Sequence, residues 1–141
     1  MGNEREDKLK ELIYQENEML NKGDWEKFDE LYSEDYIEPY LGFKGRKGVK
    51  QQFIEAKKAF PDLTFTIEDT IVQGNVIVTR LTITGTHHGE FMGIAPTGRT
   101  FKVMALSIDR TEGGKFVERW ALFDFYSELI QLGVKEVPKG L

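Results

Sequence analysis

Apolar residues recur at helical spacing through the first part of the chain. Between Glu4 and Lys22 they return every three or four residues, which predicts an amphipathic helix, and Gly23 is placed to end it. Asp24 is placed to cap a second, shorter helix, and a third helix ends at Pro61. The apolar positions that define these helices are Leu9, Leu12, Ile13, Met19 and Leu20, then Trp25, Phe28, Leu31 and Tyr32, then Val49, Phe53, Ala56 and Phe60.

Beyond Pro61 the apolar period changes to two, and β-branched and aromatic residues dominate, which predicts strands. Short turns at Gly74-Asn75 and at 112–114 indicate antiparallel hairpins, and residues 89–98 form a longer loop between them. The four predicted strands cover residues 63–72, 76–88, 99–110 and 115–126. A short helix over residues 127–132 follows, and the tail to residue 141 is predicted to be loose.

The order of these elements predicts the fold class. Helices first and long strands second are typical of an α+β domain rather than a doubly wound α/β fold. The strands are too long to stay flat in a chain of 141 residues, so the sheet must bend. We expect one domain over residues 1–141, with its core at about 5–133, in which the N-terminal helices close a cone-shaped, curved antiparallel sheet. The wide end of such a cone is a usual place for a small-molecule pocket.

Two of the predicted strands carry apolar or β-branched residues at both parities. Val103 and Ala105 alternate with Met104, Leu106 and Ile108, so both faces of the sheet are expected to be buried. One chain supplies helices for only one face. We therefore expect a homodimer formed through the outer face of the sheet.

The composition argues against several classes of function. A net charge of −5 without a dense basic face argues against nucleic acid as a partner, and the absence of cysteine removes thiol nucleophiles and thiolate metal sites. Two histidines are too few for a histidine metal site, and no glycine-rich cofactor motif lies between a strand and a helix. No metal and no cofactor are therefore expected. A charged N-terminus and the lack of a long apolar stretch predict neither a signal peptide nor a membrane segment, so a cytoplasmic location is expected.

Three groups of sequence segments carry a resemblance to a known family. They are GTHHGEFMGIAPTGR at 85–99, AFPDL at 59–63 with TIED at 66–69, and FVERWALFD at 116–124 with QLG at 131–133. They are similar to segments of SnoaL-like polyketide cyclases, over about residues 25–133. The resemblance implies the nuclear transport factor 2-like fold, which agrees with the cone predicted from the apolar periods.

The resemblance also implies an activity. The founding members of the family are aldolase-type cyclases that close a ring on a polyketide ester, with an aspartate of the last strand as acid/base and no cofactor. Asp124 matches that aspartate. The same fold also carries isomerases, dehydratases, epoxide hydrolases and proteins that only bind a ligand, so the fold alone does not fix the reaction.

Asp124 is the first candidate for a catalytic group. It follows an apolar run and shares strand parity with Trp120 and Leu122, so we expect it to be buried in the cone. Burial disfavours the charged form of a carboxyl group, which suits a group that takes a proton from carbon and returns it to oxygen. Two other interpretations are a cap on the helix that starts near Ser127 and an ion pair with a buried arginine.

The two histidines are adjacent, so they face opposite sides of the sheet, and at most one enters the pocket. His87 matches the Gly-Thr-His pattern of the family, and we take it as a second candidate catalytic residue. His88 shares parity with Arg80 and Thr82, a more polar set that could instead face the cavity. A bulge near Gly85 would reconcile the two assignments.

Arg80 lies in mid-strand among apolar neighbours, where a charge is costly unless it is paired. A structural ion pair with Asp124 or Glu118 is one interpretation. The other takes Arg80 as the centre of an Asp-Arg-Asp set, which fold relatives use to hydrolyse epoxides, but Thr82 and Leu122 stand where the carboxylates are needed.

Aromatic residues are expected to line or roof the cone together with Arg80 and His88. The loop over 89–98 is either a lid over the pocket or a contact between two chains. The aromatic candidates are Tyr14, Tyr36, Phe53, Phe91 and Trp120.

These features support three hypotheses about function. The first is a cofactor-free cyclase or isomerase that acts on a small apolar carbonyl compound with Asp124 as acid/base. The second is a module of the same fold that only binds a small hydrophobic molecule or forms a dimer. The third is an epoxide or ester hydrolase, which needs a second carboxylate in the pocket and a positioned water.

Overall fold

A computed structural model describes residues 3–135 of the chain, and the tail predicted to be loose lies outside the described residues from position 136 on. The helices are α1 (Glu4–Lys22), a 3₁₀ turn (Trp25–Lys27), α2 (Phe28–Leu31), α3 (Arg46–Ala59) and α4 (Phe125–Gln131). The strands are β1 (Tyr32–Glu38), β2 (Phe43–Lys44), β3 (Thr64–Gln73), β4 (Val76–Thr86), β5 (Thr100–Glu112) and β6 (Lys115–Phe123).

The termini of α1 are fixed by local chemistry. The side chain of Asn3 accepts a hydrogen bond from the backbone N–H of Glu6, at 2.8 Å, and Gly23 adopts φ 72° at the C-terminus. The predicted cap at Asp24 is wrong, because its side chain makes no capping hydrogen bond. The helix predicted after it is a single 3₁₀ turn followed by the four residues of α2, and the chain is already extended at Tyr32.

The described strands form one mixed, open sheet in the order β2-β1-β6-β5-β4-β3. The predicted hairpins β3–β4 and β5–β6 and the antiparallel β4–β5 pair are all present. The sequence analysis missed β1 and β2, and β1 pairs in parallel with β6. Three polar residues in the middle of β1, Ser33, Glu34 and Asp35, hide its alternation in the sequence.

Strand β5 separates the two faces of the sheet. Its residues alternate strictly between buried and exposed from Phe101 to Thr111. The buried set faces the helices, and its outward neighbours face solvent. Most of the core forms beneath α1, where Phe28 stacks on Tyr32 with ring centroids 3.9 Å apart. A second apolar cluster around Phe60 and Leu132 fills the end of the sheet beside α4.

Two side-chain amides take the place of a neighbouring strand. Asn21 of α1 accepts from the backbone N–H of Phe65 and donates to its carbonyl, and Gln131 of α4 does the same with Lys102. Each amide therefore satisfies a pair of strand groups next to a helix. Within residues 3–135, no helix is long and apolar enough to cross a membrane.

The outer face of the sheet carries a continuous apolar row. Ile71, Val78, Ile108 and Trp120 are opposite one another on β3, β4, β5 and β6. Leu106 and Leu122 pair in the next row, and Leu122 is 64% exposed. The described helices cover the other face, so this apolar surface faces solvent in a single chain.

We propose that a second copy of the chain covers this face. Identical faces related by a two-fold axis meet apolar surface with apolar surface, and the Arg80–Asp69 and Arg110–Glu118 pairs already neutralise charges beside the row. Sedimentation at micromolar concentration should give twice the chain mass of 16.3 kDa. Leu106→Lys should give the monomer, whereas Gln52→Lys, exposed on α3 away from this face, should not. A wild-type mass near that of one chain would contradict the proposal.

Candidate functional site

A buried network centred on Arg119 lies between the sheet and α1. The Nε group of Arg119 donates to the carboxylate of Asp109, and Nη2 donates to Oε2 of Glu16 at 2.6 Å. Its Nη1 group donates to the hydroxyl of Tyr32 at 3.2 Å, and that hydroxyl donates in turn to Glu16. A single guanidinium therefore joins β5, β6, β1 and α1.

Local structure brings these groups together. Glu16 lies on the buried stripe of α1, between Ile13 and Met19. The register of the β5–β6 hairpin shifts by one residue between Arg110 and Thr111, and the shift sets Arg119 directly opposite Asp109. The two side chains then meet on the inner face of the sheet.

The network holds more negative than positive groups. The hydroxyl of Tyr36 donates to Glu38 at 2.6 Å, and both side chains are buried beside Arg119. Three carboxyl groups therefore surround one guanidinium. Burial raises the pKa of Asp109 to about 6, against the attraction of Arg119, and burial also raises the pKa of Glu38.

Two hydroxyl groups lie beside Asp109 on the inner face. Ser107 donates to its carboxylate at 3.3 Å. Thr79 of β4 is opposite Ser107 and fully buried, and its hydroxyl has no hydrogen-bond partner among residues 3–135. This hydroxyl is on the same face of the sheet as Asp109, and without a protein partner it is available to a ligand.

A second buried polar group lies at the other end of the sheet, where β4 ends. His87 has no exposed surface and packs against the rings of Phe60 and Phe91, at centroid distances of 5.6 and 6.3 Å. Its Nδ1 atom accepts a hydrogen bond from the backbone N–H of Thr97, at 3.3 Å. Its Nε2 atom has no partner within the described residues.

Glu128 is a buried carboxyl group on α4. It lies on the inward stripe with Phe125, Leu129 and Leu132 and is only 4% exposed. Burial alone raises its pKa to about 7, because no cation or hydrogen-bond donor of the described residues stabilises the charged form. Glu128 therefore carries a proton for part of the time at neutral pH.

Comparisons with known proteins identify the family. The family model for SnoaL-like polyketide cyclases matches residues 11–132, which is most of the chain. The chain belongs to the SnoaL-like polyketide cyclase family. A search of curated proteins finds no match.

Solved structures agree with this assignment. TsrD from Streptomyces laurentii is 26% identical with a TM-score of 0.84, and the match covers 95% of this chain and 99% of TsrD. IdmH from Streptomyces antibioticus, a candidate polyketide cyclase, is 32% identical with a TM-score of 0.77, over 94% of this chain and 100% of IdmH. AclR from Streptomyces galilaeus, a candidate hydroxylase, is 28% identical with a TM-score of 0.80, over 93% and 85%. The chain thus has the nuclear transport factor 2-like fold of SnoaL-like proteins.

Asp124, which matches the aspartate expected from the SnoaL-like family, does not lie in the interior. It is exposed, and its side chain caps α4 by accepting from the backbone N–H of Ser127 at 3.0 Å. The predicted burial is wrong because the parity it shares with Trp120 and Leu122 is that of the outer face. Trp120 is 46% exposed there, outside the predicted pocket.

Three further candidates also lie outside the interior of this SnoaL-like chain. Arg80 pairs with Asp69 on the outer face, through Nε at 2.9 Å and Nη2 at 2.6 Å, so the predicted pairing with Asp124 or Glu118 is wrong. His88 is exposed because the register of β4 is regular up to Thr86, and the bulge considered near Gly85 is absent. Tyr14 is 55% exposed on α1.

The other candidates face the interior. Phe53 packs between Phe28 and Phe65, at 6.3 and 6.1 Å, and Tyr36 belongs to the Arg119 network. The sequence analysis missed six buried groups, namely Glu16, Tyr32, Glu38, Asp109, Arg119 and Glu128. For Asp109 a signal was present, because it shares strand parity with Val103 and Ala105.

The predicted apolar pocket at the wide end of the cone is not established. A depression of about 300 Å³ lies instead where β4 ends and β5 begins, lined by Asp62, Thr84, Gly85, Thr86, Thr100, Phe101, Lys102 and Gln131. It shares no residue with the Arg119 network. In the part of the chain that the structure describes, no group of three His, Asp or Glu side chains is arranged to hold a metal ion.

Removing the central cation should destabilise the domain strongly. Arg119→Met leaves Asp109 and Glu16 buried without their counter-ion, which costs about 3–5 kcal/mol of unfolding free energy. Arg80→Met, which breaks an exposed pair, should cost less than about 1 kcal/mol. Urea denaturation at pH 7 measures both. Equal losses of unfolding free energy in the two variants would show that the buried network does not stabilise the fold more than an exposed ion pair does.

Glu128 should make stability depend on pH. Its pKa rises from 4.5 in the unfolded chain to about 7 in the folded one, so the group stabilises the fold fully below 4.5 and loses that contribution as the pH rises through 7. Glu128→Gln removes this titration and should be roughly 2–3 kcal/mol more stable than wild type at pH 8, with little difference at pH 4.5. Chemical denaturation across this range measures it. The exposed control Glu90→Gln should follow wild type, and a Glu128→Gln curve parallel to wild type would contradict the expectation.

Proposed function

We propose that this domain catalyses cofactor-free proton transfer on a small apolar carbonyl compound, as in a cyclisation or an isomerisation, with Asp109 as the acid/base. The observation that carries the proposal is a buried carboxyl group whose pKa is raised to about 6. Membership of the SnoaL-like family supports the reaction class. Asp109 takes the role expected of Asp124, which is exposed to solvent.

The surroundings of Asp109 fit this chemistry. Above pH 6 its carboxylate accepts a proton from the carbon next to the carbonyl group, and the protonated acid returns a proton to the product. Arg119 uses three of the roughly five N–H groups of a guanidinium in the network. The remaining N–H groups can stabilise negative charge on the carbonyl oxygen, and the free hydroxyl of Thr79 adds another donor.

Access to the acid requires movement. Asp109 has no exposed surface, because α1 covers the network from the helical side. Residues 39–42 follow Glu38 directly and are exposed, with Tyr40 and Leu41 at the tip. A substrate reaches Asp109 when this loop shifts, and closure then excludes water from the reacting atoms.

Proton exchange tests the assignment without knowledge of the natural substrate. In deuterated buffer, the wild-type protein should accelerate exchange of the C2 protons of α-tetralone, measured by proton NMR, and the rate should rise as the pH passes through about 6. Asp109→Asn should lower the rate at least about 100-fold, because it removes the base. Asp124→Asn keeps the helix cap and should retain wild-type exchange.

Two results would contradict the proposal, provided that circular dichroism shows each variant folded. Loss of exchange in Asp124→Asn alone would return the role to the residue that matches the family. Exchange at the buffer rate by every protein, including wild type, with a panel of ketones would favour a module that only binds its ligand.

A specific observation favours epoxide hydrolysis as a second candidate. Arg119 bridges two buried carboxyl groups, Asp109 and Glu16, which is the carboxylate-arginine-carboxylate set that is missing around Arg80. One carboxylate takes a proton from water while the water oxygen bonds to carbon, and the other acid protonates the epoxide oxygen as its C–O bond breaks. Formation of a diol from cyclohexene oxide, without α-tetralone exchange, would favour this reaction.

A further inference from the structure

His87 presents an unused hydrogen-bond donor to the interior. Its Nδ1 atom accepts from the backbone N–H of Thr97 and also lies 3.1 Å from the hydroxyl of Thr97. A neutral ring that accepts at Nδ1 carries its proton on Nε2. That N–H group is fully buried and has no acceptor within residues 3–135. Such a donor lowers stability unless a ligand satisfies it.

The surroundings of this donor are aromatic. Phe60 packs against His87 at 5.6 Å, and Phe101 packs against Phe60 at 4.9 Å. A buried water needs two to four polar partners, and these rings offer it none besides the imidazole. The acceptor that fits here is an oxygen atom on an otherwise apolar molecule.

Phe91 occupies the space beside the donor. Its ring contacts Phe60 at 5.0 Å, His87 at 6.3 Å and Phe125 at 6.2 Å. Phe91 therefore fills the space between the end of β4 and α4, and any ligand bound there must displace it.

The loop that carries Phe91 is built as a small unit between two anchors. Residues 91 and 94 exchange both backbone hydrogen bonds across a two-residue turn, in which Met92 and Gly93 have φ 52° and 80°. A positive φ is unfavourable for Met92. The anchors are the N–H of Gly89, which donates to Ala59, and the N–H of Gly98, which donates to His87. Both anchors lie outside the hairpin of residues 91–94.

A second unpaired polar group lies on the same wall. Glu128 is one turn after Phe125 on the inward face of α4, so their side chains are neighbours. Its carboxyl group has no hydrogen-bond partner among the described side chains.

We propose that the space held by Phe91, between His87 and Phe125, is a binding site for a planar aromatic ketone, whose carbonyl oxygen accepts from Nε2 of His87. The ketone enters as the 89–98 loop swings Phe91 outward. The choice of a carbonyl compound rests on the proposed function, but the test measures binding and not turnover, so the two fail separately.

The test compares 1-indanone with indane, which has the same ring system and no acceptor. Titration followed by ¹H–¹⁵N NMR should show 1-indanone shifting the Nε2–H resonance of His87 and binding about fivefold more tightly than indane. Phe91→Ala should tighten the binding of 1-indanone by at least about tenfold, because no side chain has to be displaced. Phe91→Leu serves the same purpose if the alanine variant does not fold.

His87→Asn is the matched variant for the donor. Its side-chain oxygen can replace Nδ1 as the acceptor of the Thr97 N–H, and the donor at the position of Nε2 is lost because the shorter side chain does not reach it. The preference for 1-indanone over indane should then disappear while the binding of indane stays the same. Equal affinity of the wild-type protein for both compounds, or no binding of 1-indanone by either Phe91 variant, would overturn the proposal.

Discussion

The fold depends on one buried cation. Arg119 is the point at which the covering helix α1 is joined to three strands, and the apolar core beneath α1 packs around this joint. Apolar contacts alone would allow a helix to slide over the sheet, because they have no direction. Hydrogen bonds from a planar guanidinium fix both the position and the rotation of α1. The hydrogen bonds of Arg119 therefore set how closely α1 approaches the sheet above Asp109.

Around Asp109, the two faces of the sheet reverse the usual relation between polarity and exposure. On β5 the inward positions become polar toward Asp109, while the outward positions Met104, Leu106 and Ile108 are apolar and exposed. A chain that worked alone would place these sets the other way round. The reversal is consistent with an interior that handles charge and an outer face that meets another apolar surface.

Much of the fold could be predicted from the sequence, because the apolar period separates α1 and α3 from four strands and the short turns fix how the hairpins pair. Strand β1 could not be predicted, since Ser33, Glu34 and Asp35 interrupt its alternation. The parity of Asp124 with Trp120 was correct, but parity does not say which face is inside. The apolar outer face led to the wrong choice. The pairing of Asp109 with Arg119 also depends on a one-residue bulge in β6, which no residue pattern in the hairpin announces.

The buried polar groups are more than the fold requires. Well-packed apolar residues in place of a buried ion pair often leave a protein equally stable or more stable, so Asp109, Glu16 and Arg119 are not the cheapest way to hold α1. Burial raises the pKa values of Asp109 and Glu38, and repulsion from the neighbouring Glu16 adds to the rise. Glu128 repeats the effect at the other end of the sheet through burial alone. Stability alone would favour apolar residues at these positions, so the buried ionisable groups on the inner face support the proposal that the interior exchanges protons with a bound molecule.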